Sequence, residues 1–118
     1  ERDPDSDQLS PGQFAVLGLL ARLGETPVGE LATHERVQPP SMTRTVTCLE
    51  EGGYLTRRPH ESDRRQVVVA LSDRGRAAVE AERRRRDHWL AERLRELTPE
   101  ERRLLREAVP VLDKLGQA

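Results

Sequence analysis

The residues of this chain best suited to chemistry fall in two clusters. Ser41, Thr43, Arg44 and Thr47 put three hydroxyls and a guanidinium close together, and Asp63-Arg64-Arg65 sets two guanidinium groups beside a carboxylate. A guanidinium is a planar fork of donors that matches guanine O6 and N7 or a phosphate, and a hydroxyl side chain can donate to a phosphate or touch a thymine methyl. That is the chemistry of recognition. Catalytic patterns are missing: the chain has no Ser-His-Asp or Cys-His ordering and no phosphate-binding glycine loop, so an enzyme is not expected. His34, His60 and His88 show no ligand spacing among themselves or with Cys48, the single cysteine. No metal site, no cofactor and no intrachain disulfide are therefore expected.

The elements that must position these clusters can be read in order. Ser10-Pro11-Gly12-Gln13 is a capping box with proline at the first helical position, which predicts a largely apolar, buried helix to about Leu23. Gly24-Glu25 ends it, and Thr26-Pro27 is read as the start of a short helix through Leu31 and Ala32. Pro39-Pro40 opens a third helix to about Glu51, stopped by Gly52-Gly53. Two β-type runs follow, 54–58 and 66–71, with the polar loop His60 to Arg65 between them. In the second run Val67, Val69 and Leu71 alternate with Gln66, Val68 and Ala70, the period of a half-buried strand. Ser72 can cap a long helix to Leu97. Thr98-Pro99-Glu100-Glu101 is a second capping box, opening a helix with Leu104, Leu105, Val109, Leu112 and Leu115 on one side and a kink at Pro110.

Two short helices and a hairpin in this order spell a helix-turn-helix with a wing. The expected fold class is mainly α with a small β-hairpin wing, a winged helix-turn-helix carrying long C-terminal dimerisation helices. The lobe is assigned to residues 9–76 and the dimerisation helices to 77–118 together with the segment 1–8, one structural domain overall.

At about 100° per residue, Met42, Val46 and Leu49 share one stripe of the third helix, while Arg44, Thr47 and Glu51 lie opposite. The first stripe is core and the second faces solvent or a ligand. Ser41, Thr43 and Arg44 occupy the half whose free amides favour an anion; Glu50 and Glu51 at the far end would be repelled by phosphates. A helix inserted N-terminus first reconciles the two. At the hairpin tip Arg64 or Arg65 can reach a narrow minor groove, with Asp63 accepting hydrogen bonds from Arg65 or loop amides to fix the wing's shape. The same polar residues could instead merely solvate an exposed helix and hairpin.

Bulk composition neither announces nor forbids such a partner. Basic and acidic residues number 20 and 21, for a net charge of −1, so local placement must carry the claim. Hydrophobic residues are only 35% and charged residues equally 35%, which suits amphipathic helices completing their burial on a second subunit. No apolar run approaches the ~20 residues that span a bilayer, and Glu1 to Gln8 is polar, so a cytoplasmic chain with no membrane partner is expected.

The stretches Leu31-Ala32 to Arg44, Leu49-Glu50-Glu51-Gly52-Gly53-Tyr54-Leu55-Thr56-Arg57, Asp63-Arg64-Arg65 and Leu71-Ser72-Asp73-Arg74-Gly75 resemble the MarR family of bacterial transcription regulators over about residues 9 to 116. The resemblance implies a homodimer with interlocked terminal helices, acting as a ligand-responsive repressor on a pseudo-palindromic double-stranded DNA operator. Ser41, Thr43 and Arg44 would then sit in the major groove and Arg65 in the minor groove, oriented by Asp63. It also implies a small aromatic or lipophilic effector near Phe14, Leu17, His88 and Trp89, although packing in a dimer core is the commoner use of such a tryptophan. Relatives usually carry a full helix before the Ser10 helix, where only a polar stub stands here: either residues are missing or the dimer interface is reduced. Some relatives sense peroxide through a cysteine of that first helix, whereas Cys48 flanks the third. A different class of function, a winged helix docking protein rather than DNA, stays open on charge alone.

Overall fold

The computed structural model describes residues 9–116. Its order is α1 (Pro11–Leu23), β1 (Thr26–Pro27), α2 (Val28–Glu35), α3 (Pro39–Glu51), β2 (Leu55–Pro59), β3 (Val67–Leu71), α4 (Asp73–Arg95) and α5 (Pro99–Gly116). The strands form one antiparallel sheet in the order β1-β3-β2. The chain forms two compact units that divide after residue 82, inside α4. The segment 1–8 assigned to the dimerisation helices lies outside the described residues. No described helix is long and apolar enough to cross a membrane.

In the first unit α1 begins at the capping box read from the sequence: Ser10 Oγ accepts from the Gln13 amide at 3.1 Å, and Gln13 Oε1 accepts from the Ser10 amide at 2.7 Å. Its buried residues Val16, Leu17, Leu19 and Leu20 meet Leu31 and Ala32 of α2, the stripe Met42, Val46 and Leu49 of α3, and Tyr54, Leu55, Val69 and Val79 in one core. Burying a side chain of this size stabilises by roughly 1.5–3 kcal/mol, so the stripe alone holds α3 in a fixed rotation. The α2–α3 turn passes through Arg36 at φ 56°, a left-handed conformation on a non-glycine residue.

Thr26-Pro27 is a strand, not the start of α2. The residue before a proline is driven to extended backbone, and Pro27 itself stays extended at ψ 145°, so helical geometry begins only at Val28. Thr26 and Pro27 pair with Val69 and Val68 instead, and the buried Thr26 hydroxyl donates to the Gly24 carbonyl. This extra strand also corrects the alternation expected in β3. Val68 and Val69 are both buried while Val67 is 39% exposed, because β3 is the middle strand and only its inner part is covered.

The hairpin is tied to the start of α4. Ser72 Oγ caps α4 by accepting from the Gly75 amide at 3.1 Å. Arg74 donates to the Gly52 carbonyl at 2.7 Å and lies 4.5 Å over the Tyr54 ring. A Cβ on Gly75 would stand 1.9 Å from the Tyr54 carbonyl oxygen, so only glycine fits. Gly53, at φ 82°, makes the turn that sends the chain from α3 into β2.

In the second unit the box at Thr98 is formed: the Thr98 and Glu101 side chains accept from each other's amides at 3.1 and 2.8 Å. The helix of α5 continues through Pro110. Leu104, Leu105, Val109, Leu112 and Leu115 are all exposed, and α5 has no buried residue within one chain.

Candidate nucleic-acid interface

The candidate surface starts from α3. With Met42, Val46 and Leu49 facing the core, Thr43, Arg44 and Cys48 are left exposed and Ser41 and Thr47 half-buried. The hydroxyls are more committed than their types suggest. Thr43 Oγ1 donates to the Pro39 carbonyl at 3.0 Å and Thr47 Oγ1 to the Thr43 carbonyl at 2.9 Å, the i−4 bond available to a helical threonine. Their donors are thus occupied, and of the two contacts expected from them the methyl contact to thymine fits the geometry better. Ser41 Oγ accepts from Arg44 Nη2 at 3.2 Å, which steers the guanidinium along the helix.

The wing is built from polar bonds. Its loop closes through the His60 amide on the Gln66 carbonyl at 3.1 Å and the Gln66 amide on the Asp63 carbonyl at 3.0 Å. Inside it, His60 Nδ1 accepts from the amides of Ser62 and Asp63, both at 3.1 Å, which places the ring proton on Nε2. Asp63 Oδ1 accepts from both the amide and Nε of Arg65 at 3.1 Å. Those bonds, the side-chain one first, hold the Asp63 carboxyl below the usual carboxylate range. The Arg65 side chain is 92% exposed, and its Nη groups make no hydrogen bond among the described residues. Asp63 thus fixes the base of the Arg65 fork and leaves its prongs for a ligand. Arg64 is exposed at the same tip.

Helix and wing meet in one concavity. Thr43 and Val46 of α3, Arg57 of β2, Arg65 to Val67 of the wing and Pro27 to Glu30 line a groove of about 570 Å³. One residue of each cluster, Thr43 and Arg65, therefore shares this groove, whereas Ser41 and Arg64 line separate hollows and Arg44, Thr47 and Asp63 are not among its walls.

Two arginines of β2 were not singled out by sequence. Strand alternation turns them to opposite faces. Arg58 pairs with Glu25 at 2.6 Å, which lowers the Glu25 carboxyl and raises the Arg58 guanidinium. Arg57 reaches α3: Nε and Nη2 stand 2.8 and 2.6 Å from Glu50 Oε1, and Nη1 3.5 Å from Thr47 Oγ1. The available signal was that Arg57 shares its strand face with the apolar Leu55, toward the helix.

The residues assigned to an effector divide between the units. Leu17 is buried in the core and offers a ligand no surface, and Phe14 is half-buried on the same helix. His88 is exposed, and Trp89, 59% exposed, lies beneath Arg93 with 5.4 Å from guanidinium to ring centre. Cys48 is exposed on α3, and the described residues hold no cluster of three or more potential metal ligands.

Known proteins resemble this chain along nearly all of it. A model of the MarR family matches residues 9–67. An uncharacterised HTH-type transcriptional regulator of Mycobacterium bovis is 45% identical over 111 residues, which cover 94% of this chain and 77% of the relative. The HTH-type transcriptional repressor MdtR of Bacillus subtilis is 31% identical over 93% of this chain and 69% of its own length. The crystal structure of RV1404 from Mycobacterium tuberculosis superposes with a TM-score of 0.83 at 29% identity, covering 95% of this chain and 77% of that one.

Proposed function

The chain belongs to the MarR family of transcriptional regulators, and from that premise we propose that it binds a pseudo-palindromic double-stranded DNA operator as a homodimer and represses transcription until a small ligand releases it. The observation that carries DNA binding is the shared groove, in which Thr43 of α3 and Arg65 of the wing face one volume. In this reading α3 enters the major groove N-terminus first with Ser41, Thr43, Arg44 and Thr47, while Arg65, held by Asp63 and flanked by Arg64, enters the adjacent minor groove.

Homodimerisation is supported by α5, whose apolar residues Leu104, Leu112 and Leu115 stay exposed in a single chain. Two copies related by a twofold axis would present two recognition helices about one helical turn of DNA apart. Repression is supported by the name of the MdtR relative. Response to a small aromatic or lipophilic effector is supported by the family resemblance. The cytoplasm is the compartment where such a regulator meets its operator.

The test is selection of bound duplexes from a random pool, followed by anisotropy titrations across salt. Saturable binding to a two-half-site sequence, weakening steeply with salt as counterions are released, is the expected result. Saturable binding of protein partners with no enrichment of any duplex would overturn it. Adding phenolic and lipophilic anions to the complex then tests release.

A further inference from the structure

We propose that Arg57 is a positioning residue for DNA binding: it neutralises Glu50 and steadies Thr47, so that the far half of α3 can lie beside a phosphate backbone. The inference rests on the DNA-binding reading above and adds residues from outside the two clusters that carry it.

The sequence poses a problem at this end of α3. Glu50 lies less than one turn beyond Thr47, and a carboxylate so placed repels phosphates approaching the groove. The fold answers it locally. Gly53 turns the chain into β2, and alternation along β2 gives Arg57 the same face as Leu55, which is buried in the core. Two residues further along the strand, that face has passed the core edge and meets the last turns of α3. There Nε and Nη2 of Arg57 both converge on Glu50 Oε1, at 2.8 and 2.6 Å, while Nη1 points to Thr47 Oγ1 at 3.5 Å. Thr47 is thereby held from two sides, because its own hydroxyl donates to the Thr43 carbonyl.

This geometry assigns Arg57 a task different from that of Arg44 or Arg65. Arg65 leaves its Nη groups unused among the described residues, whereas all three nitrogens of Arg57 point at α3. Arg57 also lines the groove with Thr43 and Arg65, so the charge it cancels is in direct contact with a residue of the groove wall. An exposed ion pair of this kind adds little to folding stability. Its value lies in removing a repulsion from the ligand's path.

A double-mutant cycle tests this on the full chain, using a duplex selected by the parent protein. Arg57→Ala is expected to weaken binding about tenfold or more, since it uncovers Glu50, with a salt slope close to the parent's because no phosphate contact is lost. Glu50→Gln is expected to bind somewhat more tightly. The pair Arg57→Ala/Glu50→Gln is expected to recover most of the loss. If the double variant stays as weak as Arg57→Ala and the log–log salt slope falls by about one, Arg57 is itself a phosphate contact and the proposal fails. It fails equally if Arg57→Ala binds like the parent. Circular dichroism melts establish that each variant folds; should Arg57→Ala melt early, Arg57→Gln keeps the stem packing and the same cycle applies. A parent that enriches no duplex overturns the functional reading itself, whereas a parent that binds without coupling overturns this inference alone.

Discussion

Helix α3 and the wing stand on either side of one groove, yet opposite physics holds them in place. Met42, Val46 and Leu49 lock α3 to the core, and its threonines fold their hydroxyls onto their own helix. The wing tip has no comparable apolar anchor; its shape comes from a histidine nitrogen, a carboxylate and three loop amides. An element fixed by burial fails only when the domain fails. An element fixed by polar bonds can be loosened while everything else stays folded, and this makes the wing the adjustable side of the groove.

Breaking that contrast gives a ranked set of outcomes. The largest effect should come from Leu49→Ala, which empties a fully buried position: a loss of roughly 2–5 kcal/mol in urea unfolding, with DNA binding lost in step. Equal stability of parent and variant would mean that burial does not fix α3. Next, Arg65→Ala should weaken operator binding by about 1–3 kcal/mol without moving the melting temperature, because its side chain is almost wholly exposed. A shifted melting point together with intact affinity would reverse the assignment.

The wing's dependence on Asp63 yields a smaller, pH-linked effect. Because Asp63 is lowered in the folded chain, its bonds to Arg65 stabilise the wing at pH above the ordinary carboxylate range and are lost as pH falls through the depressed value. The Arg65 amide resonance should therefore stay at its neutral-pH position through the range where ordinary carboxylates titrate, then move at lower pH. Asp63→Asn should remove that late transition and relax the Arg65 side chain at neutral pH. The smallest effect belongs to the turn before α3: Arg36→Gly relieves a left-handed residue and should raise stability by up to about 1 kcal/mol, read from denaturant midpoints, leaving affinity at constant salt unchanged.

What the sequence made legible follows the same division. Both capping boxes, the α3 core stripe and the Gly52-Gly53 stop are local patterns whose period or spacing survives in a single sequence. The Asp63 bond to Arg65 is equally local, two residues apart. Thr26-Pro27 escaped because two residues carry no period, and their pairing with Val69 is fixed only once the hairpin closes. The burial of Val68 escaped for the same reason. Arg57 escaped because its partner Glu50 lies across a tight turn, where helix and strand periods say nothing about each other. The threonine rotamers were hidden in a different way: a hydroxyl's type shows what it can donate, not that a carbonyl one turn back already holds it.

The contact at Gly75 has an outcome for how such a protein can diversify. With the Tyr54 carbonyl occupying the space a methyl group would need, the root of the hairpin cannot drift by substitution or by a one-residue insertion without prying strand from helix. Within the hairpin, change has room between Pro59 and Val67, so lengthening, shortening or recharging that loop can alter the tip while the scaffold is inherited intact.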